Sequence, residues 1–255
     1  MTDERITDVE TVRAMIAKHP AWYHQIALAD GVVTPGNHAS QTVLDHLDAI
    51  GLPTDCTGLR VLDIGCRDGF FSFEMERRGG EVVGVDYAAA EGTGFPIAAA
   101  VLGSRATYKV RNVYNLDPAE DGTFDVVLFL GILYHLRNPM LALDRVRAVT
   151  KPGGTLFVRT QVTTHAPFVD TDVPVWQFLP RDTLQNDASN KWAPNLAGLT
   201  AALEESQFRV LQTAFDGRAS VRAEAVTDDW LEWHRTLDAS EGVWGKQLAP
   251  DAPEG

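Results

Sequence analysis

Val61-Leu-Asp-Ile-Gly-Cys-Arg-Asp-Gly69 decides the fold of this chain. The apolar run Arg60–Ile64 reads as a strand, and Phe71–Arg78 lies in the helix that follows it. Between them, glycines at 65 and 69 let the backbone approach a ligand closely and turn sharply into the helix. The N-terminus of that helix presents unpaired N–H groups to an anion. Twenty-three residues beyond Asp63, a second strand, Glu81–Asp86, ends in another acid. A carboxylate there can accept both ribose hydroxyls of an adenosine-containing ligand. A glycine turn alone is a weak sign, because an ordinary α/β turn looks the same. Joined to Asp86 in one strand–helix–strand unit, it points to a nucleotide-type site.

Outward from this unit, apolar strands alternate with helices, which predicts an α/β fold: a central seven-stranded, mostly parallel sheet with helices on both faces. Thr107–Val110 is a weaker third strand, and Phe124–Leu130 is an apolar run typical of a central strand buried on both sides. Pro139 stands where a helix can begin, with Leu141, Val146 and Val149 toward the core. Lys151-Pro-Gly-Gly154 reads as a turn before a fifth strand, Thr155–Thr160. A helix near Asn195–Ser206 and strands near Arg209–Ala214 and Ser220–Ala225 close the sheet. Residues 161–194 form a long proline- and polar-rich connection, and loops of that length are usually functional.

Ahead of the sheet, residues 7–18 form an amphipathic helix, residues 19–37 are irregular, and a second helix runs from about Ser40 to Gly51. The expected organisation is an N-terminal helical cap at 1–50 within the same domain, a core at 51–226, and a C-terminal helix and disordered tail at 227–255. In that last part, Trp230, Trp233 and Leu237 at helical spacing suit a core or subunit contact. No internal repeat is visible.

A chain of 255 residues that is 45% hydrophobic can bury a sizeable single core. The acidic N-terminus has no basic flank or apolar run, and the longest apolar stretch, Val126–Tyr134, is too short to cross a bilayer. Two cysteines, Cys56 and Cys66, support no disulfide framework and suit a reducing compartment, so the cytoplasm is the expected location. Lys and Arg total 22 against 35 Asp and Glu, a formal net charge of −13, and the basic residues are scattered. Nucleic-acid binders normally carry a basic footprint, so a small-molecule substrate is expected, on a monomer or homodimer.

Dinucleotide sites use G-x-G-x-x-G, whose second glycine clears room for the pyrophosphate. Here Arg67 stands between the glycines, which disfavours a nicotinamide oxidoreductase. The loop resembles instead the D-x-G-x-G-x-G turn of class I methyltransferases with its middle glycine replaced. LDIGCRDGFFSFEMERRGG, GVDY, LFLGILYHLRNP, KPGGTLFVRT and NKWAPNLAGLTAALEESQF together are similar to one branch of that superfamily. The branch contains the tRNA wobble-uridine carboxymethyltransferases and related small-molecule methyltransferases. The similarity spans roughly residues 20–225, and Leu130–Pro139 is its most distinctive block.

This resemblance implies a Rossmann-like class I fold, S-adenosylmethionine as cofactor and S-adenosylhomocysteine as product. The implied reaction is in-line methyl transfer to a small acceptor of metabolite or natural-product type. On the matching positions it implies that Asp63, Gly65, Cys66, Arg67, Asp86 and Tyr87 hold the cofactor. Asn112 and Val113 would flank the adenine, with Leu130 and Tyr134 at the sulfonium. The alternative is carboxymethyl or methyl transfer to tRNA using carboxy-S-adenosylmethionine. Against it, the stretch Trp22-Tyr-His-Gln25 lacks the lysine that holds the extra carboxylate in those enzymes, and the RNA-binding basic character is missing. Arg218 matches an arginine that those enzymes keep near the C-terminus, which keeps the alternative open.

Tyr134 and His135 follow the fourth strand, at the carboxyl edge where open α/β sheets bind ligands. The Tyr134 ring suits a cation, and His135 suits general base catalysis. A structural histidine bonding a neighbouring loop is the commoner fate of such a residue. His24 and His38 in the cap, with Gln161, His165, Trp176 and Trp192 in the long connection, are candidate substrate contacts. Tryptophans there more often simply pack. No Cys/His/Asp cluster has metal-ligand spacing, so no metal is expected.

Overall fold

The computed structural model describes residues 6–226 except 20, 39 and 170. The chain runs through α1 (Val9–Ala17), the short strands β1 (Ala27–Ala29) and β2 (Val32–Val33), α2 (Ser40–Ala49), β3 (Arg60–Ile64), α3 (Phe70–Arg77) and β4 (Glu81–Asp86). Next come α4 (Phe95–Leu102), β5 (Thr107–Val110), α5 (Pro118–Asp121), β6 (Phe124–Leu130) and α6 (Pro139–Val149). It ends with β7 (Thr150–Gln161), α7 (Ala166–Val169), β8 (Trp176–Phe178), β9 (Trp192–Pro194), α8 (Leu196–Glu205), β10 (Phe208–Phe215) and β11 (Arg218–Ala225). The helix expected at Asp228–Leu237, with Trp230 and Trp233, and the tail after it lie outside the described residues.

Seven strands form one sheet in the order β10-β11-β7-β6-β3-β4-β5. From β7 to β5 every pair is parallel, and β11 lies antiparallel to both of its neighbours. The seven-stranded α/β expectation therefore holds. The central strands are apolar at consecutive positions because each serves two cores. Leu62, Ile64, Val127, Phe129, Leu156 and Val158 pack with α6 and α8, whereas Val61, Val126, Leu128 and Phe157 pack with α2 and α3. Strand order reverses between β3 and β6, the switch point at which open α/β sheets leave a ligand crevice.

Local chemistry sets several boundaries. Pro139 begins α6 behind Asn138, whose Oδ1 accepts from the Leu141 N–H, and Asn195 caps α8 by accepting from the Gly198 N–H. Several features differ from the sequence reading, among them a short β1–β2 antiparallel pair within the segment read as irregular. Helix α4 escaped that reading because Phe95-Pro-Ile-Ala-Ala-Ala-Val-Leu102 is apolar at every position and shows no helical period. The Lys151–Gly154 turn interrupts a strand instead of preceding one: Thr150 pairs with Phe124, and pairing resumes at Thr155 opposite Val126. The long connection carries α7 and an antiparallel β8–β9 pair.

The N-terminal segment packs Val12, Ile16, Trp22, Ile26, Leu28 and Val32 against Phe73 of α3 and Phe95, Ala98 and Val101 of α4. One polar group locks its position. The fully buried Asp68 carboxylate accepts from the backbone N–H of Tyr23 (2.6 Å), His24 (3.0 Å) and Gly94 (2.8 Å). Asp68→Ala would leave all three donors unpaired. It should lower the unfolding free energy by about 3–5 kcal/mol, read as an earlier midpoint in urea. A loss below about 1 kcal/mol would show the clasp to be dispensable.

Candidate active site

A cavity of about 510 Å³ opens at the carboxyl edge of β3, β4 and β6. Its first end is built by the glycine turn. Gly65 and Cys66 both donate their N–H to the Val85 carbonyl, and the Arg67 N–H donates to Asp86 Oδ2 at 3.1 Å. Gly65, Arg67 and Gly69 all have positive φ (75°, 51° and 91°), so Arg67 occupies a conformation that normally favours glycine. The Ile132 side chain fills the space a Gly65 β-carbon would need, 2.3 Å from it. Asp86 Oδ1 accepts from Ala88 N–H at 3.0 Å. Each Asp86 oxygen thus holds one backbone donor and keeps further acceptor capacity.

Asp63 is buried beneath this loop and accepts from Ser72 Oγ at 2.7 Å. Burial pushes its carboxyl up to about 6, which the Ser72 hydrogen bond opposes and the nearby Asp86 charge reinforces. Asn112 accepts from Tyr114 N–H and starts the short turn that carries Val113. Tyr87 is exposed at the rim, and Leu130 closes the floor. Of the residues expected to hold a cofactor, Asp63, Gly65, Arg67, Asp86, Tyr87, Asn112, Val113 and Leu130 line this one cavity.

The rest of the lining is aromatic and basic: Tyr23, His24, His38, His135, Arg159, Ser189 and Arg218, with Tyr23 adjoining the glycine turn through the Arg67 guanidinium, 6.0 Å from its ring. Tyr23 stacks on His38 with ring centroids 4.8 Å apart, and His24 meets His38 edge-on at 5.8 Å. Burial pushes His24 down to about 4, against the Asp68 charge; burial, then Arg218 and Arg159, lower His38 as well. Arg159 is committed to structure: Nη2 donates to both Asp216 oxygens (2.9 and 2.8 Å), and Nη1 donates to Ser220 Oγ. Arg218 lies over the Tyr134 ring at 5.8 Å. His135 Nδ1 is 2.9 Å from Ser189 Oγ, and burial lowers its pKa while Asp187 opposes the shift.

The remaining expected residues lie off this lining. Cys66 contributes its backbone, but its sulfur turns behind β4, where a β-carbon on Gly84 would meet it at 2.9 Å. Tyr134 is buried under Arg218. Gln161 bonds Gln185 at 2.8 Å and, with its amide turned over, would accept from Arg218 Nε at 3.0 Å. Trp176 donates to the Gly198 carbonyl and meets Trp192 edge-on, and His165 packs on Phe168. The long connection therefore supplies Ser189 to the cavity, where the sequence reading expected Gln161 and Trp176. Tyr23, Arg159 and Ser189 had been missed. Nothing in their local sequence marks them, because each reaches the cavity only through tertiary packing.

Two of the buried titrating groups, His24 and Asp63, pull stability in opposite directions. His24 has a folded pKa of about 4, below its ordinary 6.5, so the unfolded chain binds that proton first. Through His24, stability falls as pH falls from 6.5 toward 4. Asp63, raised from 3.8 to about 6, holds its proton more tightly when folded and favours folding as pH falls through 6. His24→Asn removes only the first effect. Urea titrations should show the wild type losing up to about 3 kcal/mol relative to this variant between pH 7 and 4. A constant difference across that range would mean that His24 is not held neutral.

The lining fits an adenosyl sulfonium ligand: a carboxylate with spare acceptor capacity at the second strand end, a glycine turn that allows close backbone approach beside it, and a cavity in the usual small-molecule range. Comparisons with known proteins agree. A family described as a methyltransferase domain matches residues 37–213. A ubiquinone biosynthesis O-methyltransferase of Xanthomonas campestris is 33% identical over 141 residues, 55% of this chain and 57% of that protein. A Xanthomonas oryzae protein of the same name is 32% identical over 158 residues, 61% and 65% of the two chains. The match thus spans well under the full length of these curated relatives. Among solved structures, the N-terminal domain of EvdMO1, with S-adenosylhomocysteine and D-fucose, aligns with a TM-score of 0.66 at 19% identity, covering 89% of this chain and all of that one. The Burkholderia thailandensis 1,6-didemethyltoxoflavin-N1-methyltransferase aligns at 0.55 with 17% identity, covering 74% and 77%. Fold, site architecture and family match converge: the chain belongs to the class I, S-adenosylmethionine-dependent methyltransferases.

Proposed function

We propose that this chain transfers a methyl group from S-adenosylmethionine to a small-molecule acceptor, with the cofactor at the acidic end of the cavity and the acceptor at the histidine end. The observation that carries this reading is the continuity of the cavity. One space joins Asp63, Asp86 and the glycine turn to His135, His24 and His38. The cofactor would supply an electrophilic methyl group on a sulfonium. Asp86 would accept from the ribose hydroxyls, the Asn112–Val113 turn would flank the adenine, and Leu130 would face the sulfonium. At the other end, His24, His38 and Tyr23 would shape the acceptor site and exclude water, and His135 would remove a proton from the acceptor. The relatives are named for methyl transfer to oxygen, and one structural neighbour for transfer to nitrogen, which supports a small protic acceptor. Among the described residues, no helix is long and apolar enough to cross a membrane.

A second reading, carboxymethyl or methyl transfer to tRNA with carboxy-S-adenosylmethionine, has one observation in its favour. Arg218 lines the cavity with no carboxylate in ion-pair range among the described residues, so that, beside Gln161, it would be placed to meet an added carboxylate.

Calorimetric titration separates the readings. S-adenosylmethionine and S-adenosylhomocysteine should bind at micromolar concentration, and carboxy-S-adenosylmethionine no tighter. Tighter binding of the carboxylated form, lost in Arg218→Gln, would favour the second reading, and failure of all three ligands to bind would overturn both. Asp86→Ala should weaken S-adenosylhomocysteine by about 1.5–3 kcal/mol, roughly 10- to 150-fold. Unchanged affinity in the folded variant would remove Asp86 from the ribose site.

A further inference from the structure

His135, Ser189 and Asp187 form a hydrogen-bonded file leading from the cavity to solvent. Asp187 Oδ1 accepts from the Ser189 hydroxyl at 2.6 Å and from the Ser189 N–H at 2.8 Å. The same Ser189 oxygen stands 2.9 Å from His135 Nδ1. The file is held from both flanks. Lys191 N–H donates to the Tyr134 carbonyl at 2.8 Å, which pins the connection to the turn after β6, and Asn190 Nδ2 donates to the Leu184 carbonyl.

Proton counting then decides the state of His135. The Asp187 carboxylate has no proton to give, and hydrogen bonds from Ser189 hold it below the usual carboxylate range. The single hydroxyl proton of Ser189 points at Asp187, so its oxygen offers His135 only lone pairs. The contact at Nδ1 is a hydrogen bond only when Nδ1 carries the imidazole proton. In a neutral ring the lone pair then resides on Nε2.

We infer that Ser189 and Asp187 are positioning residues that fix His135 in its Nδ1–H tautomer and make Nε2 the base of the active site. This rests on the methyl-transfer reading. In the step, the acceptor's proton passes to Nε2 and its freed electron pair bonds the methyl carbon. The carbon–sulfur pair returns to sulfur, and the positive charge of the sulfonium ends on the imidazolium. The Nδ1–H bond through Ser189 to the Asp187 charge stabilises that imidazolium. A base in this place has work to do only where the acceptor loses a proton. The acceptor class is therefore an alcohol, phenol, amine or thiol, and not a thioether or tertiary amine.

The tautomer can be read without knowing the acceptor. Two-bond proton–nitrogen correlation spectra of the ¹⁵N-labelled protein at pH 8, with S-adenosylhomocysteine added, report it directly. The His135 signals are assigned by their disappearance in His135→Gln. The wild type should show a protonated Nδ1 and a bare Nε2. Ser189→Ala and Asp187→Asn should move the proton toward Nε2, whereas Ser189→Thr, which keeps the hydroxyl, should retain the wild-type pattern. Affinity for S-adenosylhomocysteine should be unchanged in all three. A wild-type ring protonated on Nε2, or a pattern indifferent to Ser189→Ala, would overturn the inference. Absence of S-adenosylhomocysteine binding by the wild type would instead overturn the methyl-transfer reading beneath it.

Discussion

The buried carboxylate of Asp68 joins three pieces of chain: the turn after β3, the entry to α4, and the Tyr23–His24 segment. A charge taken out of water is tolerable only when hydrogen bonds replace its hydration, and here three backbone donors do so. These bonds, together with the apolar packing on α3 and α4, hold the N-terminal segment against the glycine turn. That placement sets Tyr23 and His24 over the cavity and brings in His38 through a parallel bridge to His24. The approach is close enough that a β-carbon on Gly94 would strike the Trp22 ring, and one on Gly36 the His24 backbone.

The turn itself trades backbone strain for shape. Arg67 accepts a left-handed φ that costs about 1 kcal/mol or more for a residue with a β-carbon. Its N–H bond to Asp86 helps to hold it there. Asp86 thus has a structural task on its inner side, which fixes where its outer lone pairs can point. The Ser72–Asp63 bond beneath the turn and the two bonds from the turn to the Val85 carbonyl complete a rigid floor. A ligand that docks on it meets groups already in position, which is where a preorganised site gains affinity and rate.

Charge of both signs lines the cavity. Asp63 and Asp86 stand with Arg67 and Arg111, whose backbone N–H groups both donate to Asp86; Arg159, Arg218 and the two cap histidines complete the lining, with burial holding both histidines toward their neutral forms. In the proposed reaction a positive charge leaves the sulfur and reappears on the base. Asp187 stands behind that base, so the charge moves between two places that each have a carboxylate nearby. Arg159 is tied to Asp216 and Ser220, which leaves Arg218 as the arginine of this wall that can answer an acceptor or a cofactor carboxylate.

Local chemistry in the sequence was enough to place β3, β4, β5 and β6 at their observed bounds, because strand period, glycine turns and strand-end acids are short-range properties. The same signals pointed to Gly65 and Asp86, whereas Asn112 and Leu130 came from the resemblance to the methyltransferase family; all four line the cavity. Helix α4 was hidden because its uniformly apolar sequence has no period, and its identity comes from packing against the N-terminal segment. The far end of the cavity was not legible for a different reason. Ser189 lies 54 residues from His135, and Tyr23 45 residues from Asp68. Nothing in either local sequence encodes the distance between them. Sequence alone determined a methyltransferase-type sheet with an adenosyl-binding turn. Only the tertiary structure decided which side chains complete the cavity lining, because those contacts form between segments whose order in the chain says nothing of their nearness in space.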